Sequence, residues 1–561
     1  MQQNYLTISE LLLNCEENGT APKYFVNEKT YQEQKSSFFG QPLPVRTEPV
    51  IYQSNGEEVF VVSDLHIASG RNSIGIYRGT ENFFADDSFY RFLEYADNVK
   101  KTTNTLLVIN GDIFDFLRVT EYPGKSKKIR PVKKLKYLFK GQILRNPKEP
   151  PKEIIDDEYN KWMNELAKIG IIKTREDLEN SISEKEKKFG LRTDDYKTIY
   201  KLVKIKRGHP DFFKALSIWM ERGNKIIIVK GNHDLELYWP AVRNYLRLII
   251  AEAIAEKNDK NIEDVLKRNI LPNITFIDDS VEIDKDFYIE HGHRYDKFCM
   301  VLDEPVLKNN PSQMNIPFGS FFNRYLLNRI ELFFPFLDNV RPSGNVLPIL
   351  MRENFALGIK VLLQHIPLLL RILLTNFRYV RFMFGKVFWF LLAILIPVGL
   401  VIFFNLPVIG SLMEGISKVQ ESGGIAAKVL EFAKSLILLI PSYLLSRLAA
   451  WFHLSEPSSL DKFAKLRLEG TNYKIITMGH THNPGEYQFK INNDHKRFYN
   501  TGTWIPVIET STAEVRQDKT YSFLHLIRDA TGKLRPANNY LMQRWNDDAK
   551  RADLQVLVER K

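Results

Sequence analysis

Cysteine is almost absent from this sequence, since Cys15 and Cys299 are the only two among 561 residues. This scarcity argues against a disulfide framework and against a cysteine zinc site, and it fits a reducing compartment. Residues 1–4 also lack a basic patch followed by an apolar run, so we expect no signal peptide.

Acidic residues are too few to balance the basic ones, with 67 Asp and Glu against 78 Lys and Arg and a net charge of +11. This excess favours an anionic partner, such as a phosphorylated substrate, an anionic lipid or a nucleic acid. A content of 44% hydrophobic and 26% charged residues excludes wholesale disorder. The length exceeds that of a usual single domain, so we expect a core and at least one large additional piece.

Five apolar runs each end in side chains that can bind metal ions. Their β-branched and aromatic residues predict buried strands. Residues two apart in an extended backbone point to the same side, so Asp64 and His66 can share one divalent ion. The five strings are VFVVSDLH (59–66), TLLVINGDIFD (105–115), KIIIVKGNHD (225–234), FYIEHGH (287–293) and YKIITMGHTH (473–482).

A single Asp-x-His is a weak signal, because an Asp that caps a turn at a strand end explains it equally well. Five such ends in one chain make that explanation improbable, and six of the 11 histidines lie in these strings. We expect the glycine before Asp112, Asn232 and His480 to let the backbone turn sharply at the strand end. The strings together predict one dinuclear metal site.

This ordered set closely resembles the calcineurin-like metallophosphoesterase family over residues 55–120, 222–300 and 472–530. The resemblance implies an α/β fold, with a β-sandwich core flanked by helices, and two divalent ions with a nucleophilic hydroxide between them. We expect manganese, while mixed oxygen and nitrogen ligands also admit iron, zinc or cobalt. By resemblance, Asp112 bridges the two ions. The remaining ligands of the first ion would be Asp64, His66 and His482, and those of the second ion would be Asn232, His291 and His480.

The resemblance also implies catalytic roles for two residues. His233 would protonate the leaving oxygen or steady the transition state, and Asp115 would orient it; the alternative for Asp115 is a carboxylate at a helix N-terminus. His291 and His293 compete for one ligand position, and the family's His-Gly pattern favours His291. No substrate-binding residue is predicted, and we expect the histidines outside the strings to be ordinary surface or core residues: His209, His365, His453, His495 and His525.

Within the family, the motifs most resemble those of the UDP-diacylglucosamine pyrophosphatase group. The similarity rests on SDLH (63–66), His-Gly (291–292), and GHTH (479–482) followed by YNTGTW (499–504). Those enzymes cleave a nucleotide diphosphate joined to a lipid, at the cytoplasmic membrane surface. They lack an insertion as long as residues 305–470 and often carry arginine where His233 stands.

The pattern between the strings predicts two insertions that divide the metallophosphoesterase core into three segments. Residues 121–140 hold eight Lys or Arg against one acid, which predicts either a solvated basic face or a lid that meets anionic headgroups or substrate phosphates. The expected order is an N-terminal extension (1–50), the first core segment (51–117), a charged insertion or lid (118–206), the second core segment (207–304), a helical, apolar, membrane-associated insertion (305–470), and the third core segment with a C-terminal tail (471–561).

The second insertion contains a long apolar run, since residues 387–404 carry no charge. At roughly 1.5 Å per residue, a helix of that length nearly crosses a hydrocarbon layer of roughly 30 Å. A second run spans 435–446, and the charges within 347–374 suit an amphipathic helix in the interface. Because His480 must meet Asp64, the chain cannot cross a membrane an odd number of times between them. Flanking arginines then place the active site in the cytoplasm. A two-pass hairpin, interfacial attachment and a buried helical core all stay open.

Three functions are compatible with these features. The leading one is a dinuclear metal-dependent hydrolase of phosphoesters or pyrophosphates at the cytoplasmic membrane surface, acting on a phosphorylated substrate for which a lipid-linked form is one option. The second is a nuclease or phosphodiesterase of the same fold, although the apolar insertion supplies no groove for a nucleic acid strand. The third is a membrane scaffold without activity, which would have no reason to keep His233 and seven ligands.

Overall fold

The computed structural model describes residues 5–13, 49–78, 80–124, 152–296, 299–301, 304–331, 339–341, 352, 460–509 and 514–555. The apolar runs at 387–404 and 435–446, the amphipathic stretch at 347–374 apart from residue 352, and the basic residues of 125–140 lie outside the described residues. The chain divides into two units. The first comprises residues 1–339, 457–508 and 514–561, and the second comprises 340–456 and 509–513. Every predicted metal ligand belongs to the first unit.

The strands, in chain order, are β1 (Val50–Tyr52), β2 (Glu58–Val62), β3 (Thr105–Asn110), β4 (Lys225–Val229), β5 (Ile274–Ile277), β6 (Ser280–Ile283), β7 (Phe287–Glu290), β8 (Val306–Leu307), β9 (Asn310–Met314), β10 (Val340–Arg341), β11 (Ile475–Met478), β12 (Gly485–Ile491), β13 (Asp494–Asn500), β14 (Ile508–Glu509), β15 (Glu514–Val515), β16 (Ser522–Arg528), β17 (Leu534–Pro536), β18 (Gln543–Asn546) and β19 (Arg551–Leu554).

The α-helices are α1 (Tyr5–Leu13), α2 (Asp86–Val99), α3 (Lys152–Ala167), α4 (Arg175–Ser181), α5 (Glu184–Phe189), α6 (Asp195–Gly208), α7 (Pro210–Glu221), α8 (Pro240–Asn258), α9 (Ile262–Val265), α10 (Phe318–Phe322), α11 (Asn328–Glu331) and α12 (Asp461–Glu469). Single helical turns cover Phe116–Arg118, Leu235–Tyr238, Leu266–Ile270, His293–Tyr295, Asn323–Leu327, Gln517–Lys519 and Ala537–Tyr540.

Two sheets organise the first unit. The larger has the order β19-β18-β16-β2-β3-β4-β5, with β17 beside β16, and the smaller has the order β1-β6-β7-β11-β13-β12. Strands β2 to β5 run parallel, whereas β16 is antiparallel to β2. In the smaller sheet β7, β11 and β13 run parallel, and Ile476 pairs with both Tyr288 and Phe498. The carboxyl ends of five parallel strands therefore carry the predicted ligands.

The two sheets pack face to face, and the period of two along each strand decides which side chains meet. Val59 and Val61 share an apolar cluster with Phe287 and Ile289 of the other sheet. The intervening Phe60 belongs to a separate cluster beneath the helices. Helix α12 covers the outer face of the smaller sheet. The layers run helix, sheet, sheet, helix, so the expectation of a mixed α/β fold is confirmed.

Helix α2 shows how the sequence specifies one of the covering helices. Asp86 and Asp87 lie in its first turn, where the N-terminal end of the helix dipole favours negative charge. Phe89, Phe92 and Ala96 follow at helical spacing and are buried against the larger sheet. The sequence predicts a helix over residues 84–101, which forms over Asp86–Val99, and a long helix over residues 238–261, which forms over Pro240–Asn258.

The sequence of residues 274–289 predicts one two-stranded hairpin, but in the structure only β6 and β7, which pair antiparallel, form one. Three strands occupy this stretch, and β5 belongs to the larger sheet whereas β6 and β7 belong to the smaller. The crossing between the sheets lies at Asp278, which is held by Lys230 and Arg243, each 2.8 Å from its Oδ1. Two apolar strands in succession do not reveal which sheet each one joins, because periodicity reports burial and not pairing.

In the charged insertion predicted at 118–206, the described residues from 152 onward form four helices, α3 to α6, whereas residues 119–124 are not helical. Within the part of the chain that the structure describes, no helix has the length and apolar character needed to cross a membrane.

Candidate metal centre

The predicted ligands converge because β2 and β3 stay paired beyond their last residues. The backbone N–H of His66 donates to the carbonyl of Asp112 at 2.8 Å, and that of Ile67 donates to Ile113 at 3.0 Å. In the same way, the N–H of Gly479 donates to the carbonyl of His291 at 3.0 Å. The loops that leave the strands are thereby fixed side by side at one edge of the sandwich.

Asp64, His66 and His482 form the first group of potential ligands. Their ligand atoms lie within 4.8 Å of one another, and all three residues are buried. The Nε2 atoms of His66 and His482 are 2.9 Å apart, and His482 Nε2 is 3.3 Å from Asp64 Oδ1. These are the three residues expected to complete the ligands of the first ion.

Asp112, His291 and His480 form a second group of the same kind. Asp112 Oδ2 is 3.1 Å from His291 Nε2 and 3.8 Å from His66 Nε2, a member of the first group. One carboxylate therefore reaches both groups, which is the position a bridging ligand needs.

Asn232 is buried between Gly231 and His233, both of which contact Asp112 of the second group, and its side chain provides a test of whether an ion fits. Its Oδ1 atom has no hydrogen-bond partner among the described residues. A buried amide oxygen left without a partner costs about 1–3 kcal/mol, which coordination of a cation would offset. Carboxylate, imidazole and amide oxygen donors together suit Mn, Fe, Zn or Co. The residues present therefore fit the predicted pair of ions.

Five of the seven predicted ligands have a positive φ angle, in the left-handed region of backbone conformation. The φ angles are 55° at Asp64, 50° at His66, 54° at Asp112, 69° at His480 and 56° at His482. Non-glycine residues in this region cost on the order of 1–3 kcal/mol each, and such strain concentrates at functional sites.

The expected role of the three glycines is right for only one of them. Gly111 has a φ of 83°, but Gly231 and Gly479 are not in the left-handed region. All three are instead contacted by ligands. A Cβ at Gly111 would lie 2.2 Å from His291 Nδ1, one at Gly231 would lie 2.1 Å from Asp112 Oδ1, and one at Gly479 would lie 2.5 Å from Asp64 Oδ2. Glycine is required here because ligand side chains rest on its bare Cα.

His233 lies next to both groups and is held by Asp115. Its Nδ1 is 2.8 Å from Asp115 Oδ2, and its backbone N–H donates to Asp112 Oδ1 at 2.8 Å. Burial favours the neutral imidazole, but the charges of Asp115 and Asp112 outweigh it and raise the pKa of His233. Its side chain is 17% exposed while Asp115 is fully buried, so the ring faces the opening of the site.

Asp115 does occupy the residue before a helical turn, Phe116–Arg118, as the alternative interpretation required. Its side chain nevertheless makes no capping hydrogen bond there. The carboxylate contacts His233 instead, which is the arrangement implied by the family resemblance.

The structure separates the roles of His291 and His293. His291 Nδ1 is 2.8 Å from the carbonyl of Asn110, so that nitrogen carries the proton and Nε2 faces Asp112. His293 is buried, with its ring 5.5 Å from that of His291, and burial holds its pKa well below the usual value. Among the described residues, no ligand group includes His293.

Residues 499–504, noted in the sequence only for their similarity, support the ligand loops from below. Thr503 Oγ1 donates to the carbonyl of Asp64 at 2.8 Å, and the N–H of Trp504 donates to it at 3.2 Å. Asn500 Nδ2 donates to the carbonyl of Gly479 at 3.0 Å. One segment therefore fixes the turns that carry ligands from both sheets.

Sequence reasoning missed two residues at the centre. Asp234 accepts from the N–H of Gly231 at 2.6 Å and from that of Ile113 at 2.8 Å, so it ties two ligand loops together. Burial, with a contribution from the charge of Asp112, raises the pKa of Asp234 to about 7. Asp296 lies 3.1 Å from His480 Nε2. Asp234 was visible as the end of the Gly-Asn-His-Asp string, whereas no motif marks Asp296.

The described histidines outside the strings have ordinary surroundings, as expected. His209 is buried between Asp86 and Glu81, and their charges raise its pKa to about 9 against the effect of burial. His525 stacks on Phe60 with the ring centroids 4.1 Å apart, and His495 is exposed. His365 and His453 lie outside the described residues.

No protein-family model matches the chain, and no curated protein matches it in sequence. The resemblance carried by the motifs therefore stays a prediction.

Proposed function

We propose that the chain is a metal-dependent hydrolase of phosphoesters or pyrophosphates, built as calcineurin-like metallophosphoesterases are. One observation carries the proposal. Two buried groups of potential ligands are joined by Asp112, which belongs to the second group and lies 3.8 Å from His66 of the first. His233 lies beside them, with one nitrogen held by Asp115. A phosphatase fold reused as a scaffold would have no need for five strained ligand residues or for the unpartnered amide oxygen of Asn232.

The protein's own residues suit the transfer of a phosphoryl group to water. When bound, two divalent ions supply a water of lowered pKa and compensate the charge of the phosphoryl group. Asp115 accepts a hydrogen bond from the Nδ1–H of His233. This leaves Nε2 to donate a proton to the leaving oxygen. The raised pKa of His233 favours the protonated ring that this step requires.

The proposed substrate is phosphorylated and lipid-linked, and the proposed location is the cytoplasmic face of a membrane. The apolar runs of the insertion and the net charge of +11 support this location. A loop next to the centre adds to the support. It follows His66 and exposes Ile74 and Ile76 by 71% and 59%, between Arg71 and Arg78. Exposed apolar tips beside Arg71 suit the interface of an anionic bilayer, whereas Arg78 is paired with Glu121.

The first test is metal-dependent hydrolysis and its loss on removal of the bridging carboxylate. Purified protein, stripped of metal and supplied with Mn²⁺, is assayed on p-nitrophenyl phosphate, bis-p-nitrophenyl phosphate and a UDP-linked lipid. Asp112→Ala should lose both ions and nearly all activity, because no other carboxylate among the described residues reaches both groups.

Asp494→Ala is the matched control, since Asp494 is an exposed carboxylate paired with Lys474 at 2.7 Å. It should keep both ions and full activity. Two ions still bound to Asp112→Ala would refute the bridging role, and wild-type protein inactive on all three substrates with Mn²⁺ would refute the proposed function. Preference for bis-p-nitrophenyl phosphate over the lipid would favour the phosphodiesterase alternative.

A further inference from the structure

His480 belongs to two clusters at once. One is the ligand group with Asp112 and His291, and the other contains Asp296 and Cys299, again with ligand atoms within 4.8 Å of one another. His480 is 8% exposed, whereas Asp296 and Cys299 are half-buried. The second cluster lies in the first unit, on the chain that leaves the end of β7.

His291 and His233 share a pattern, in which an oxygen of the protein holds one ring nitrogen and leaves the other for the centre. His291 Nδ1 is held by the carbonyl of Asn110 at 2.8 Å, and His233 Nδ1 is held by Asp115 at 2.8 Å. For His480 the equivalent contact joins Nε2 to Asp296 Oδ2 at 3.1 Å.

We propose that Asp296 is a positioning residue for the second ion. Its carboxylate accepts a hydrogen bond from the Nε2–H of His480. This bond selects the tautomer with a free Nδ1 and turns that nitrogen toward Asp112 and His291. This role rests on the proposed function, because it presumes that the second group holds an ion. Carboxylates that hold a metal-binding imidazole typically change metal affinity by about 10–100-fold when they are removed.

The segment that carries Asp296 is fixed well enough for this role. It begins at Gly292, whose φ of 101° turns the chain sharply, and continues through the helical turn His293–Tyr295. The hydroxyl of Tyr295 donates to Glu290 Oε1 at 2.7 Å, and its ring stacks on Phe463 with centroids 4.6 Å apart. Both partners belong to the packed layers, so Asp296 is held by the body of the fold.

The same cluster has a second interpretation, in which Asp296, Cys299 and His480 hold a third ion. That arrangement would require His480 to be shared between two ions as a doubly deprotonated ring, with Cys299 as a thiolate. A hydrogen bond from Nε2 to Asp296 needs neither change. The distance of 3.1 Å is ordinary for such a bond, so the geometry favours the positioning role.

The test measures metal binding to the full-length chain, independently of turnover. Mn²⁺ binding by calorimetry and metal content after dialysis are compared for wild type, Asp296→Ala, Asp296→Asn, Cys299→Ser and the control Asp494→Asn. Asp296→Ala should weaken the binding of one of the two ions by about 10–100-fold and leave the affinity for the other unchanged. The Mn²⁺ affinity of Asp296→Asn should lie between those of the wild type and Asp296→Ala, because the amide oxygen still accepts a hydrogen bond from the Nε2–H of His480. Cys299→Ser and Asp494→Asn should match wild type.

Two further measurements separate this role from others. The melting temperature of metal-free Asp296→Asn should equal that of the wild type, since a purely structural role would lower it. With Co²⁺, the wild type should show no thiolate-to-cobalt absorption. The inference would be overturned if Asp296→Ala bound both ions with wild-type affinity. It would also be overturned if the wild type bound three ions and showed a thiolate-to-cobalt band that Cys299→Ser lacks. If the wild type binds no ion, the proposed function itself fails.

Discussion

At the residue scale, His233 and Asp115 form the pair that most directly links the geometry to a reaction. Asp115 is fully buried, so its charge acts on the ring at 2.8 Å through little solvent. Its burial alone would favour the neutral acid, yet the charge of His233 outweighs this effect and holds the pKa of Asp115 well below its usual range. Both shifts therefore favour the pair of carboxylate and imidazolium in the metal-free protein.

His233→Ala should keep both ions and lower turnover by roughly 10²–10⁴, the usual scale for a lost general acid. The loss should shrink for p-nitrophenyl phosphate, because a good leaving group needs no proton. The measurement compares kcat on p-nitrophenyl phosphate with kcat on an alkyl phosphate, alongside metal content. His495→Ala, which removes an exposed histidine, is the control. An unchanged rate on the alkyl phosphate would rule out the acid role.

At the element scale, strand ends and tight loops do the positioning, and their glycines are the sensitive points. Gly231→Ala introduces no left-handed strain, but its Cβ would lie 2.1 Å from Asp112 Oδ1 and 2.6 Å from the Asp112 nitrogen. The bridging carboxylate must then move. We expect loss of at least one ion and of most activity while the fold is retained, measured by metal content and circular dichroism.

Gly75→Ala is the matched control for this prediction. Gly75 has a φ of 77° and nothing within 4 Å of an added Cβ, so the substitution costs only backbone strain, on the order of 1 kcal/mol. It should keep both ions and wild-type activity. If Gly231→Ala also keeps both ions, the contact with Asp112 is not what requires glycine there.

How far the sequence could predict the centre is also decided at the level of elements. Apolar runs that end in Asp, Asn or His predict both the strands and the edge at which their ends meet, and the family resemblance selects seven candidate ligands among those residues. The division of β5 and β6 between two sheets could not be predicted, because pairing is a tertiary property. Asp296 could not be found either, since its role depends on a turn that brings it back to His480.

At the scale of the whole molecule, the larger part of the second unit lies within the stretch predicted as the apolar insertion, 305–470. That unit comprises residues 340–456 and 509–513, and it includes both apolar runs. All ligands, His233 and Asp115 come from the first unit. The metal centre and the proposed membrane attachment are therefore carried by different regions of the chain, and they can be separated by deletion.

Deleting residues 340–454, with a short Gly/Ser linker in their place, should release the protein from membranes and leave the metal centre assembled. A flexible linker closes such a gap at modest entropic cost. Activity on p-nitrophenyl phosphate should survive, while activity on a UDP-linked lipid should fall because that substrate lies in the bilayer. The measurement is fractionation after carbonate and after detergent, alongside both assays. Full-length protein that stays in the supernatant without detergent would mean that the apolar runs are core helices. In that case the full-length and the deleted protein should have equal activity on the UDP-linked lipid.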